Sequence, residues 1–281
     1  MVRHLTARGW QLTRLIRSSA SGPSQISWDP SKPVSPQAVS GFDAVIHLAG
    51  ETIAERWTEA KKQAVRDSRV VGTRNLSEAL AQSDKRPALL VSASAIGYYG
   101  DRGDEVLAEP SSGGQGFLAE VCREWESATQ AAAKAGIRTV QARFGIVLSR
   151  SGGALAKMLA PFRLGIGGNL GSGHQWWSWV ALDDVIGALE HIMKTTSLEG
   201  PVNVVSPNPV TNREFTKSLA SVLSRPAVFP MPAFAARMAL GQMADELLLA
   251  SQRVEPAKLR TSGYRFRHPD LPTALVSILG R

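Results

Sequence analysis

The sequence predicts an α/β protein built on a doubly wound parallel sheet. Apolar runs of strand length recur at residues 11–17, 42–50, 88–92, 138–144 and 201–205, as expected of strands buried on both faces. Segments with apolar residues at helical spacing alternate with them at 58–82, 119–135 and 183–195, the pattern that builds parallel sheets with helices on both sides. The third observation is the end of the second of these runs, Leu48-Ala49-Gly50. Small residues there let another molecule's ring or backbone approach the carboxyl end of a strand, where open sheets bind ligands. An ordinary buried strand ending in a turn would also read this way.

With 281 residues, the chain can hold one large domain or a main domain and a smaller partner. Hydrophobic content of 43% with 20% charged residues is the balance of an ordinary globular protein. No apolar run reaches the roughly 20 residues of a membrane span, and Met1-Val2-Arg3-His4 is not followed by the apolar core of a secretory leader. Cys122 is the only cysteine, which excludes an internal disulfide and suits a cytoplasmic location. The net charge of +8 raises the question of nucleic acid. The basic residues are dispersed, however, with no zinc-ligand spacing and no run long enough for an arm. Neither nucleic acid nor membrane is therefore expected as a partner; a solvated basic face or an anionic small molecule accounts for the balance.

In order along the chain, residues 1–8 carry Val2 and Leu5 at helical spacing before Gly9, so they read as the tail of a helix with a glycine cap. Residues 11–17 read as a strand, and 25–28 as a short one closed by Asp29-Pro30. The 42–50 strand, the 58–82 helix, the 88–92 strand, an Ala-rich helix at 119–135 ending at Gly136, and the 138–144 strand follow. Residues 151–175 are Gly-rich loops around one short helix at 154–164. Asp183 and Asp184 are placed to cap the helix at 183–195, and a strand at 201–205 returns to the sheet. From Pro207 onward, prolines punctuate short helices. This divides the chain into a nucleotide-binding domain over 1–206, with 151–175 lining the substrate cleft, and a small C-terminal substrate lobe over 207–281.

A Rossmann-like dinucleotide fold starts with a strand, a Gly-rich turn and a helix whose N-terminus holds the pyrophosphate. Here the sequence begins within the helix, and no G-x-G-x-x-G pattern occurs near the start. Roughly 15 further residues would supply it, so the expectation is a start codon assigned too far downstream, or else a truncation. In the usual strand order 3-2-1-4-5-6 the strand at 43–49 is the fourth and pairs with the first, which leaves it an apolar edge.

The chain resembles an atypical extended short-chain dehydrogenase/reductase, of the NAD(P)-dependent epimerase-like family with a C-terminal domain of unknown function; some members are labelled cell-division inhibitors. The residues that carry the resemblance are His47-Leu48-Ala49-Gly50-Glu51, Arg56-Trp57, Ser68-Arg69-Val70-Val71-Gly72-Thr73 and Ser92-Ala93-Ser94-Ala95-Ile96-Gly97-Tyr98-Tyr99-Gly100. Pro161-Phe162-Arg163-Leu164-Gly165, Gly171-Ser172-Gly173-His174-Gln175 and Asn203-Val204-Val205-Ser206-Pro207 complete the series. The resemblance implies NADP(H) as cofactor, over Leu48, Ala49, Gly50 and Ser92, with Arg69 near its phosphates and Val147 at the nicotinamide. The residues add a reason of their own. NAD enzymes place an acid at the end of the second strand to bind the ribose hydroxyl. That strand here ends Ile16-Arg17-Ser18, offering a guanidinium to a 2′-phosphate.

Proton chemistry is harder to place. Enzymes of this superfamily use Tyr-x-x-x-Lys on one helix face, where the ammonium makes the phenol a usable acid or base. None of the three tyrosines has a lysine four residues on, and Phe117 and Val121 fall at the two positions. Ser94 stands at the family's serine position, and Tyr98 or Tyr99, with Arg102 as charge partner, are the candidates to replace the lost acid. His174, in the segment expected to line the substrate cleft, is a candidate general acid or hydrogen-bond donor to substrate, and Arg163, with Lys157, is a candidate to hold an anionic substrate. Cys122 reads as a small core residue, and no metal site is expected. The resulting reading is an NADP(H)-binding epimerase or oxidoreductase of unknown substrate. The rivals are a non-catalytic NADP(H) sensor or scaffold, and a chain that binds no dinucleotide because the phosphate loop is missing.

Overall fold

Most of the apolar runs become short strands and most of the amphipathic segments become helices in the computed structural model, which describes residues 1–280. After α1 (Val2–Ala7) come β1 (Arg14–Ile16), β2 (Gln25–Ser27), β3 (Ala44–His47), α2 (Glu59–Gln82) and β4 (Leu89–Ala95). Next are β5 (Val106–Leu107), α3 (Phe117–Ser127), α4 (Gln130–Lys134), β6 (Arg138–Phe144), β7 (Ile146–Leu148) and α5 (Gly153–Arg163). Then follow β8 (Trp176–Trp177), β9 (Trp179–Ala181), α6 (Leu182–Lys194), β10 (Gly200–Val204), β11 (Val210–Thr211) and α7 (Asn212–Leu223). The chain closes through α8 (Ala233–Leu240), a π-helical turn (Ala244–Leu249), β12 (Arg253–Val254), α9 (Ala257–Thr261) and α10 (Leu271–Leu279).

The main sheet has the order β10-β6-β4-β3 with every pair parallel. Alternation along its central strand explains the two helical layers. Leu89 and Val91 of β4 pack with Val140, Val202 and the α6 residues Leu189 and Ile192. Leu90, between them, packs on the opposite face with Leu76 and Leu80 of α2 and Ala132 of α4. The sheet is thus doubly wound, as the sequence predicts. A separate core of Trp177, Trp179, Phe215, Leu155, Phe162 and Leu275 joins α5, α7 and α10 to the short strands of the C-terminal half.

β1 and β2 form their own two-stranded parallel ribbon. β3 hydrogen-bonds β4 alone among the described strands, so it is an edge of the main sheet. Its burial is correspondingly incomplete: Ala44, Val45 and Ile46 are half-buried, and Leu48 just beyond is 47% exposed. β3 does pack on both faces, Ala44 and Ile46 against the core on the α6 side and Val45 against the core on the α2 side, but the flank without a neighbouring strand leaves each only half-buried. The ribbon leans on the main body through Trp28, whose ring lies 5.9 Å from that of His47, and through Asn75 Nδ2, which donates to the Pro30 carbonyl at 3.0 Å.

Two local expectations are corrected. The helix expected over 119–135 is two helices, α3 and α4. They part where the Thr129 hydroxyl donates to the Glu126 carbonyl at 2.7 Å and accepts from Gln141 Nε2 at 2.8 Å, a local side-chain bond that competes with the helical ladder. Asp184 does not cap α6, whose N-cap Ala181 has no side-chain bond. Its buried carboxylate instead accepts from the Tyr264 hydroxyl (3.0 Å) and the backbone amides of Arg267 (2.7 Å) and His268 (2.9 Å), pinning the C-terminal segment to α6.

α1 docks on α6 through Glu190. His4 Nε2 lies 2.7 Å from Glu190 Oε2, Lys194 Nζ donates to Oε1 at 2.6 Å, and Arg8 Nη1 stands 3.8 Å away. The His4 and Lys194 bonds hold the Glu190 carboxyl down at about 2. A depressed carboxyl contributes stability above its unfolded value, near 4.3, and loses it as pH falls through the folded one. Glu190→Gln is therefore expected to lower the urea midpoint at neutral pH, with the gap to the native chain narrowing from about pH 4 to pH 2. A gap that stays constant over that range would refute the assignment.

Candidate functional site

The carboxyl ends of the parallel strands β3, β4 and β6 lie along one edge of the main sheet, and residues of the loops there and of the neighbouring ribbon build the site. At the end of β1, Ile16 is half-buried and Arg17 is exposed. Glu51, beyond β3, has its carboxyl held below the usual carboxylate value mainly by its bond to Lys61 Nζ at 2.8 Å, with the Arg17 charge contributing. The end of β1 reaches this edge through Trp28, whose amide donates to the Ile16 carbonyl at 2.8 Å and whose ring lies 5.9 Å from that of His47, the last residue of β3. Leu48, Ala49 and Gly50 stand exposed after β3, as a platform open to a ligand.

Arg69 reaches this loop from α2. Its Nη1 donates to the carbonyls of Glu51 (3.0 Å) and Val65 (3.2 Å), and its guanidinium lies over the Trp125 ring at 5.1 Å. A Cβ on Gly50 would come within 3.3 Å of the guanidinium carbon, so the loop approaches Arg69 as closely as it does because position 50 has no side chain. Burial pulls the Arg69 pKa below its ordinary value, though the Glu51 charge works against this. Ser92 is buried in β4 with its hydroxyl on the Ala93 carbonyl, and Val147 is half-buried in β7.

Behind the platform lies a buried polar network that sequence reasoning missed. Arg143 of β6, 2% exposed, donates from Nε and Nη2 to the two carboxylate oxygens of Glu126 on α3, at 2.7 and 2.8 Å. Its Nη1 donates to the Tyr99 hydroxyl at 3.0 Å. Burial opposes the charge, but the Glu126 bonds outweigh it and hold the guanidinium above its ordinary pKa. The Ser94 hydroxyl donates to Glu126 Oε1 at 2.7 Å. Tyr99 is fully buried, its hydroxyl 2.8 Å from Asn203 Oδ1 and 3.1 Å from the Ala108 carbonyl; burial pushes its pKa up. The signal for this network was available in the sequence, since an arginine inside an apolar strand requires a buried partner.

Tyr98 differs from its neighbour. It is half-buried, its ring lies beneath the Arg143 guanidinium at 3.5 Å, and its hydroxyl is not tied into the bonds that hold Tyr99. Arg102, expected as charge partner of these tyrosines, is bound at both ends of its fork by Glu105 at 2.8 and 2.7 Å. The guanidinium that meets both tyrosines is that of Arg143. Phe117 packs edge-on against Trp57 with ring centroids 5.2 Å apart, and Val121 is buried. Cys122 is buried too, and burial pushes its thiol up to about 12.

The start of α3 meets the C-terminal lobe. Glu246, from the π-helical turn, accepts from the amides of Phe117 (3.1 Å) and Leu118 (2.8 Å), a carboxylate at the positive end of a helix. Beside it is a cavity of about 230 Å³ lined by Gly97, Gly100, Gln115, Leu118, Glu246 and Gln252. His174 is exposed, its Nε2 3.4 Å from Arg213 Nη2. Arg163 stands at the outer end of α5, where its carbonyl accepts from Arg225 Nε at 3.1 Å. Lys157 donates to the Ala54 carbonyl at 2.9 Å, tying α5 to the loop before α2. These three share no hydrogen bond with the Ser94 network among the described residues.

A parallel doubly wound sheet with a bare strand-end platform and a guanidinium at the end of β1 defines a nucleotide-binding α/β protein. Comparison with known proteins makes this particular: residues 1–205 match the model of the NAD dependent epimerase/dehydratase family, and residues 231–278 match a domain of unknown function, DUF1731. The chain belongs to the NAD dependent epimerase/dehydratase family. It is 42% identical over 273 residues to epimerase family protein MT2273 of Mycobacterium tuberculosis, covering 96% of this chain and 90% of that one. A crystal structure of human epimerase family protein SDR39U1 with NADPH is similar at a TM-score of 0.91 and 33% identity, covering 100% of this chain and 94% of the human one. A nucleoside-diphosphate sugar epimerase from Corynebacterium glutamicum is similar at a TM-score of 0.82 and 38% identity, over 99% of this chain and 55% of its own.

Proposed function

We propose that this chain binds NADP(H) along the carboxyl edge of its sheet and exchanges hydride with an anionic small molecule held near Ser94. The observation that carries the reading is Arg17 exposed at the end of β1, which Trp28 joins to the end of β3 and so to the bare Leu48-Ala49-Gly50 platform. The residues present fit the cofactor. Arg17 offers a bidentate partner to a 2′-phosphate, the platform admits a flat ring, and Arg69 adds a cation next to Gly50. The human relative with NADPH supports the same choice.

The nicotinamide would supply or accept the hydride. Tyr98, whose hydroxyl is left outside the buried bonds, passes the proton; Arg143 over its ring offsets charge on the phenol. Ser94 is fixed by Glu126 and orients the reacting oxygen; Tyr99 braces Arg143 from inside. His174 and Arg213 hold the anionic end of the substrate.

A second reading, an NADP(H)-binding sensor without turnover, is favoured by one observation: the hydroxyls of Ser94 and Tyr99 are already bonded in sites no more than 2% exposed. NADPH fluorescence titration tests what the two readings share. Arg17→Ser is expected to weaken NADPH by about tenfold or more and leave NADH unchanged, the worth of a charge-assisted bond. Equal losses for both nucleotides would count against Arg17 as the phosphate ligand. Turnover of carbonyls or nucleotide sugars that survives Tyr98→Phe with Ser94→Ala would sink the proposed chemistry, and no turnover at all would leave the sensor.

A further inference from the structure

Among the described residues, more than half of the large apolar side chains that stand exposed lie on two neighbouring segments, 164–166 and 228–238. Leu164 (75% exposed) and Ile166 follow α5; Val228, Phe229 and Met231 precede α8. The segments run side by side. The Phe229 amide donates to the Gly167 carbonyl at 3.1 Å, and the Met231 amide to the Asn169 carbonyl at 2.8 Å. Phe234 and Met238 (75% exposed) continue the surface along one side of α8, four residues apart. A contiguous apolar surface of this kind marks a contact with something.

Its electrostatic setting selects the partner. There is no Asp or Glu between Glu126 and Asp183, nor between Glu214 and Asp245, so both segments come from stretches without an acid. Arg163 directly precedes Leu164, and Arg225 donates to its carbonyl. Two guanidinium-bearing residues thus meet at the base of the apolar tip. A second copy of the chain is a poor occupant, because a two-fold contact sets the same patch against itself and opposes like charges. What suits an apolar tip with a cationic base is a surface that is apolar within and anionic at its boundary. We infer that this tip is a docking surface for an anionic lipid bilayer, with Phe229, Phe234 and Met238 entering the acyl boundary and Arg163 and Arg225 meeting the headgroups. No described helix is long and apolar enough to cross a membrane, and a surface contact needs none.

Co-sedimentation with two sets of vesicles tests this: pure phosphatidylcholine, and equal parts of phosphatidylcholine and phosphatidylglycerol. The chain is expected on the anionic vesicles only, with affinity falling as salt is raised. Arg163→Glu with Arg225→Glu is expected to weaken binding by about tenfold or more. Phe229→Ser with Phe234→Ser is expected to abolish it at an unchanged thermal midpoint, since both rings are exposed. The proposal is overturned by no binding to anionic vesicles, by equal binding to both sets, or by variants that bind as the native chain does. It is also overturned if the phenylalanine variants abolish only self-association, measured by light scattering, because the patch would then face a second copy.

Discussion

Arg143→Met is expected to destabilise the protein by roughly 3 kcal/mol or more, because it leaves the Glu126 carboxylate, its side chain only 13% exposed, without its charge partner. On a chain of this size that corresponds to a fall in thermal midpoint on the order of 10 °C. The Tyr99 hydroxyl loses a donor in the same step, which adds to the cost. The informative companion is the double replacement Arg143→Met with Glu126→Leu. It is expected to recover a large part of the loss, since a buried pair contributes little relative to apolar groups of similar volume. Recovery should not be complete, because Ser94 is then without its acceptor. Equal destabilisation of the single and double variants in urea melts would show that the pair acts through something other than an uncompensated charge.

Gly145→Ala should be comparably damaging for a steric reason. A Cβ at that position would lie 2.5 Å from the Ser178 carbonyl oxygen and 2.7 Å from Val205 Cγ1. Neither neighbour can yield easily: Ser178 and Val205 are fully buried, and the Ser178 carbonyl is bonded to the Ile146 amide at 2.9 Å. Added volume in a packed site costs about 1–3 kcal/mol, and with backbone opposing it we expect about 3 kcal/mol or more in the urea midpoint. A midpoint within about 0.5 kcal/mol of the native chain, the range of surface substitutions, would contradict this. With the nicotinamide proposed to lie at Val147, two residues on in β7, NADPH affinity should fall in the same variant.

What the sequence made legible was whatever repeats. β6 falls on residues 138–144 as expected, and α2 begins where Thr58 accepts a bond from the Lys61 amide at 3.1 Å, a capping signal readable from the letters alone. The short strands β5, β7, β8, β9, β11 and β12 went unforeseen, because two or three residues carry no period and these lack the flanking apolar run or turn signal that marked β1 and β2. Glu126 and Arg143 lie 17 positions apart and Tyr99 and Asn203 lie 104 apart; no local pattern joins them, and only folding brings them together. Asp184 shows the opposite failure. Its position in the first turn of a helix resembles a cap, yet its side chain turns away to a segment 80 residues downstream. Local preference was overridden there by three donors offered from elsewhere in the chain.

The ribbon of β1 and β2 has a thermodynamic consequence. Ladder hydrogen bonds make neighbouring strands cooperative, and none joins this ribbon to the main sheet among the described residues. It is held by side-chain packing on Trp28 and by single bonds such as that of Asn75. Local opening of such a unit requires less free energy than global unfolding, so β1 can fluctuate while β4 and β6 remain paired. Discrimination between the two nicotinamide nucleotides would then belong to the least cooperative part of the molecule. A 2′-phosphate seated on Arg17 would order that part on arrival, and its apparent affinity would include the work of doing so.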